Sequence, residues 1–74
     1  MRKRKTIREL REKRGWTQLQ LAVALNVSLS AVQGWESGRN EPRASQLRRI
    51  ADLFGVLMDD IQLVGEEPEG KVAA

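Results

Sequence analysis

Apolar residues recur along the chain at helical spacing in short blocks, and each block is bracketed by residues that start and stop helices. In "TIRELREKRG", Thr6 and Glu9 stand in capping-box register, Ile7 and Leu10 fall on one face, and Gly15 supplies a left-handed stop. "WTQLQLAVALN" repeats the device with Thr17 and Gln20, places Trp16 to staple onto Leu21, and runs to about Leu25. Asn26 tolerates positive φ and Ser28 is a cap, so only a short turn separates this helix from the next, with Val27 and Val32 again in staple register. A turn that short forces a sharp crossing.

The third helix, in "NVSLSAVQGWESG", sets Val27, Val32 and Trp35 toward a core and Leu29, Ser30, Gln33 and Gly34 on the opposite side, and Gly38 closes it. Pro42 blocks continuation through "RNEPR", and "ASQLRRIADLFG" predicts a fourth helix with Leu47, Ile50, Ala51 and Phe54 inward, ended by Gly55. "VLMDDIQLV" predicts a short fifth helix, with Asp59 and Asp60 in its first turn where the helix dipole favours anions. From Gly65 onward, "GEEPEGKVAA" offers too little apolar surface to offset ordering entropy and reads as a frayed acidic tail. The expected organisation is a basic arm over residues 1–5, one compact all-α, five-helix domain over 6–64, and a flexible tail over 65–74.

Composition narrows the chemistry. The 74 residues make one small domain without room for a second, ligand-sensing one. The absence of cysteine removes disulfides and thiolate chemistry, and the absence of histidine removes the commonest general base and metal ligand. The remaining carboxylates, lysines and hydroxyls form no catalytic constellation, so neither an enzyme nor a cofactor is expected. The longest apolar runs, such as "LAVAL", fall far short of the roughly 20 residues a membrane span needs, and no signal-peptide stretch follows the charged start. A soluble, cytoplasmic chain is expected.

Charge is unevenly spread. The net +3 divides into +6 over residues 1–14, −1 over 15–38 (Glu36 alone), +3 over 39–50 and −5 over 51–74. Charge alone fits a solvated basic arm with an acidic tail as well as it fits a polyanion-binding face.

The spacing within "TQLQLAVALNVSLSAVQGWESGRNEP" decides between them. It resembles the helix-turn-helix core of the Cro and phage-repressor family, also called the xenobiotic-response-element type. The shared pattern is Thr-Gln, then Leu-Ala, a Val-Ser turn, an apolar residue four after the Ser, and a Trp-Glu-x-Gly close; the likeness extends over about residues 6–63.

The resemblance implies a lambda-repressor-like DNA-binding domain whose second helix sits over the DNA backbone and whose third enters the major groove. Mapped onto this chain, it implies base readout by Leu29, Ser30, Gln33 and Gly34, and phosphate contacts by Thr17, Gln18, Ser28, Arg39, Asn40 and Arg43. The residues agree in part: Gln18 opens the second helix, where free amides attract a phosphate, and no acid lies between Gly15 and Trp35. Glu36 is the lone acid of that segment and is expected to pair with Arg11 of the first helix, as the resemblance also implies.

Departures from the pattern carry their own information. Asn26 stands where the family usually has glycine, and Arg43 and Leu57 stand where helix caps are usual. Leu57 and Met58 lie where related repressors dimerise, and Leu19 and Val23 replace polar residues on the second helix. Only Ser30 and Gln33 among the four reading positions can hydrogen-bond a base edge, so part of the specificity is expected from DNA shape.

The reading is a transcriptional regulator, most simply a repressor, that binds double-stranded DNA as a homodimer on a two-half-site operator. Two others stay open: an antitoxin-type module that binds a toxin chain with DNA secondary, and a helical interaction domain without DNA binding.

Overall fold

The computed structural model describes residues 4–64. The residues 1–3 of the expected arm and the whole of the expected tail, 65–74, lie outside the described residues. A short strand β1 (Lys5–Thr6) leads into α1 (Ile7–Lys13), α2 (Gln18–Leu25), α3 (Leu29–Ser37) and α4 (Ala44–Phe54); a single 3₁₀ turn (Met58–Asp60) and a strand β2 (Ile61–Gln62) follow.

The capping residues set the helix starts. The Thr6 hydroxyl accepts from the Glu9 amide at 3.0 Å while Glu9 Oε1 accepts from the Thr6 amide at 2.8 Å. Thr17 and Gln20 make the same reciprocal pair at 3.1 and 2.7 Å. Ser28 Oγ accepts from the Ala31 amide at 3.0 Å. At α4 an arginine side chain has no acceptor to offer, so only half of a box forms, the Arg43 amide donating to Gln46 Oε1 at 2.8 Å.

Between α2 and α3, Asn26 takes the left-handed conformation (φ 58°, ψ 46°) that the sequence required of it. The Val27 amide reaches back to the Ala22 carbonyl at 3.0 Å, and with Ser28 already capping α3, the two helices pack closely at their crossing.

Each helix contributes its predicted apolar face to one core. Leu21, Val32, Ile50 and Ile61 are completely buried there, with Ile7, Leu10, Ala22, Leu25, Trp35 and Ala51 around them. Trp16 packs against the edge of that core, its ring centroid 5.9 Å from that of Phe54. Arg14 seals this corner. Its guanidinium lies 5.3 Å from the Trp16 ring and 5.0 Å from the Phe54 ring, and donates to the Leu53 carbonyl at 3.0 Å in the last turn of α4, where a cation is favoured.

The expected fifth helix does not form, which leaves the described residues as a mostly helical fold with four helices rather than an all-α, five-helix domain. Residues 58–60 make one turn, and Ile61 is extended (φ −96°, ψ 121°). Its competitor is a partner far away in sequence: β2 pairs in parallel with β1, Lys5 opposite Ile61 and Thr6 opposite Gln62. Arg4 reinforces the pairing, donating through Nε to the Asp59 carbonyl at 3.1 Å and through Nη2 to the Ile61 carbonyl at 2.8 Å. A local pattern with apolar residues at 57, 61 and 64 suits a helix as well as a turn and strand, and the backbone of the N-terminal segment tips the balance.

Candidate nucleic-acid interface

The face formed by α1, the start of α2 and the outer side of α3 is organised around one ion pair. Arg11 projects from the middle of α1 and is almost fully buried. Its Nε and Nη2 donate to the two oxygens of Glu36 at 2.6 and 2.9 Å, and its Nη1 donates to the Trp16 carbonyl at 2.7 Å, so all three of its nitrogens are engaged. Burial pushes the Glu36 carboxyl up, but hydrogen bonds from Arg11 and Gln18 and the charges of Arg11 and Arg8 outweigh it and hold the group below the usual carboxylate range. The lone acid of the segment is therefore ionised and neutralised at once.

From this anchor a chain of amides runs outward. Gln18 Nε2 donates to Glu36 Oε1 at 3.0 Å. Because a carboxylate can only accept, this bond turns Gln18 Oε1 the other way, where Gln33 Nε2 reaches it at 3.4 Å. Gln33 is exposed, and an amide that donates one hydrogen keeps a second hydrogen to donate and its Oε1 to accept. Arg8, Thr17, Gln18, Gln33, Glu36 and Ser37 line an open cleft of about 510 Å³ on this face.

The other residues singled out in the sequence distribute as follows. Leu29 and Ser30 are exposed on the first turn of α3. Gly34, expected to project with them, is instead buried: a Cβ there would lie 2.6 Å from Asn40 Nδ2 and 3.2 Å from Arg39 Nη2. Thr17 and Ser28 are engaged as caps, yet a hydroxyl that accepts an amide still has its own hydrogen to donate. The amides of Gln18 and Leu19, next in line, have no acceptor within the helix. Arg39, Asn40 and Arg43 are exposed in and after the loop that follows α3.

Leu57 and Met58 lie at the opposite end. Leu57 is 55% exposed, whereas Met58 packs against the core. With Arg48, Ala51, Val56 and Asp59 they border a shallow groove of about 390 Å³. Leu19 and Val23 are exposed on α2 at 57% and 72%.

Two features escaped the sequence. The Gln18–Gln33 link joins residues 15 apart, and its only signal was the solitary acid, Glu36, to which Gln18 bonds directly and Gln33 by way of Gln18. The laying of Arg39 back along α3, its Nη2 3.4 Å from the Ser30 carbonyl, had a signal in the missing side chain of Gly34.

Two helices joined by a tight left-handed turn, the second with its polar side exposed, define a helix-turn-helix module. Residues 7–61 match the Helix-turn-helix family, so the chain belongs to that family, of the Cro and xenobiotic-response-element type. It is 41% identical over 61 residues to the HTH-type transcriptional activator BcrR of Enterococcus faecalis, covering 82% of this chain and 29% of that protein. It is 35% identical over 65 residues to the HTH-type transcriptional regulator AnsR of Bacillus subtilis (strain 168), covering 88% of this chain and 54% of that protein. The chain thus spans about half or less of these relatives. No solved structure matches it at a significant level. Transcription factors of this family are non-catalytic. No helix among the described residues is long and apolar enough to cross a membrane, and no group of potential metal ligands occurs among them.

Proposed function

We propose that the chain is the DNA-binding part of a transcriptional regulator, a repressor that occupies a two-half-site operator as a dimer. In this reading α3 lies in the major groove and the start of α2 sits over the backbone. The observation that carries it is the exposed amide of Gln33, held by Gln18, which is held in turn by Glu36. A side-chain amide fixed at one end offers one donor and one acceptor in a set direction, which matches the N7 and N6 groups of adenine.

The same geometry supports the backbone contacts. Free amides at the start of α2, with the hydroxyls of Thr17 and Ser28, suit phosphate oxygens, and Asn40 and Arg43 extend that contact along the strand. Glu36 repels no phosphate because Arg11 neutralises it. Arg4 and Lys5 are tied to the body through β2, so the basic arm starts from a fixed point. Leu57 and the groove beside it form the surface on which a second copy would pair, setting half-sites about 34 Å apart. One relative is named an activator, so the sign of regulation is read from a promoter fusion, with repression expected where operator and promoter overlap.

The test is base-by-base competition on a selected operator at one fixed salt concentration. Gln33→Ala should relax preference at one base pair per half-site by about 1 to 3 kcal/mol and leave random-duplex affinity nearly unchanged. Gln18→Ala should weaken random duplex as well as operator, and by releasing the Gln33 amide should also blunt the preference at that same base pair. Full parental preference in Gln33→Ala removes α3 as the reader.

The exposed Leu19 and Val23 favour a second reading, an antitoxin-type module that docks a protein on α2. A polyanion binder loses affinity steeply with salt, and a flat salt dependence on random duplex would favour the protein partner.

A further inference from the structure

The loop after α3 does not leave the helix; it folds back over it. The Asn40 amide donates to the Gly34 carbonyl at 3.2 Å, and Ser37 Oγ, which donates to the same carbonyl at 3.2 Å, accepts from the Arg39 amide at 3.4 Å. The Arg39 side chain then runs toward the start of α3 until Nη2 stands 3.4 Å from the Ser30 carbonyl. On its way the guanidinium passes within 3.2 Å of where a Gly34 side chain would begin. Positions 30, 33, 34 and 37 share one helical face, and the side-chain volume that Gly34 vacates is filled by the Asn40 amide, 2.6 Å from where a Cβ would stand, with this guanidinium next to it on the Ser30 side.

We propose that Arg39, laid over Gly34, is a base-reading residue of the interface and that the base it reads is guanine. The inference rests on the DNA-binding function proposed above and adds a specificity determinant to it. Phosphates line the walls of the major groove and are met by helix ends, such as the Ser28 and Thr17 caps. A group at the middle of α3's outward face meets the floor, where base edges lie. The guanidinium is exposed and makes one long bond to a carbonyl, so most of its five donors remain available in a planar fork. The two acceptors O6 and N7 of guanine present the matching pair in the major groove. Gly34 is thus the residue that makes room for a reader supplied from the loop.

The experiment uses the full chain, an operator selected from random duplex, and four proteins: wild type, Arg39→Ala, Gly34→Ala and the variant with both changes. Wild type should lose about tenfold to a hundredfold in affinity when one guanine per half-site is replaced, and should lose affinity also when that guanine carries carbon in place of N7. Arg39→Ala should be indifferent to both changes.

Gly34→Ala adds a methyl against the ends of two flexible side chains in a helix interior, where alanine is favoured over glycine. It should melt no lower than wild type and show a smaller loss of preference at the same base pair, non-additive with Arg39→Ala. If Arg39→Ala weakens operator and random duplex by one common factor, Arg39 is a phosphate contact and the inference falls while the DNA-binding function stands. If wild type prefers no sequence at all, the function itself falls.

Discussion

The two ends of this domain are each fastened by an arginine, in opposite ways. On the face built from α1, α2 and α3, Arg11 is buried and uses its fork on a side chain, Glu36, which in turn directs Gln18 and Gln33. At the far end Arg4 is exposed and uses its donors on backbone carbonyls of the turn and β2. A side-chain anchor fixes the direction of other side chains; a backbone anchor fixes only the course of the chain. The first end therefore presents oriented amides, and the second presents an exposed apolar residue, Leu57. In the function proposed above, recognition by direction would belong to the first and association by shape to the second.

Unequal consequences follow for the two fastenings. The largest expected effect is at Glu36. Removing one partner of the buried pair leaves Arg11 uncompensated, so Glu36→Ala should cost about 3 to 5 kcal/mol in chemical unfolding. Glu36→Gln separates charge from hydrogen bonding and supplies a pH test. The carboxyl is held below its ordinary value of about 4.3. Its contribution is thus complete above that pH and disappears as pH falls through the lower folded-state value. The stability difference between wild type and Glu36→Gln should shrink over that acidic window and stay constant from there to neutrality.

A smaller effect, about 1 kcal/mol, is expected from Arg4→Ala, because the bonds it loses are partly exposed and their acceptors can turn to water. Operator preference should survive it unchanged; a change in base preference would mean that the two ends are not independent. The smallest effect has the opposite sign. Arg43 caps α4 without a side-chain acceptor, so Arg43→Ser should stabilise the fold by about 0.5 to 1 kcal/mol, seen as a higher melting temperature. The same variant removes a positive charge and should weaken binding to random duplex if Arg43 meets phosphate.

What the sequence made legible follows the same division. Thr6, Thr17, Ser28, Asn26, Gly38 and Gly55 are local signals, and the helices start and stop where they said. The inward residues Leu10, Leu21, Val32, Trp35 and Ile50 were legible from periodicity, and the Arg11–Glu36 pair from a solitary acid within a resemblance. The misread segment, residues 56–64, is the one whose structure is decided by contact with the other end of the chain. Gly34 was misplaced for a related reason. A glycine on an outward helical position says nothing about what covers it, and the cover comes from Arg39 and Asn40 of a loop without regular structure.

The pairing of Lys5 with Ile61 and of Thr6 with Gln62 also sets an order of events in folding. These are contacts between residues nearly the whole domain apart, so their loop-closure entropy is met only after the helices have brought the two segments near each other. The pairing should be absent from the transition state and appear as the final step, with substitutions there speeding unfolding and leaving the folding rate nearly unchanged. In the folded protein the same two-residue ladder should open before the helices do. Amide hydrogens of residues 5, 6, 61 and 62 should exchange through local opening, well before those of Leu21 or Ile50, which wait for the whole domain to unfold. Each such opening releases the segment that carries Arg4 and Lys5, so the reach of these two cations is a property with its own equilibrium constant.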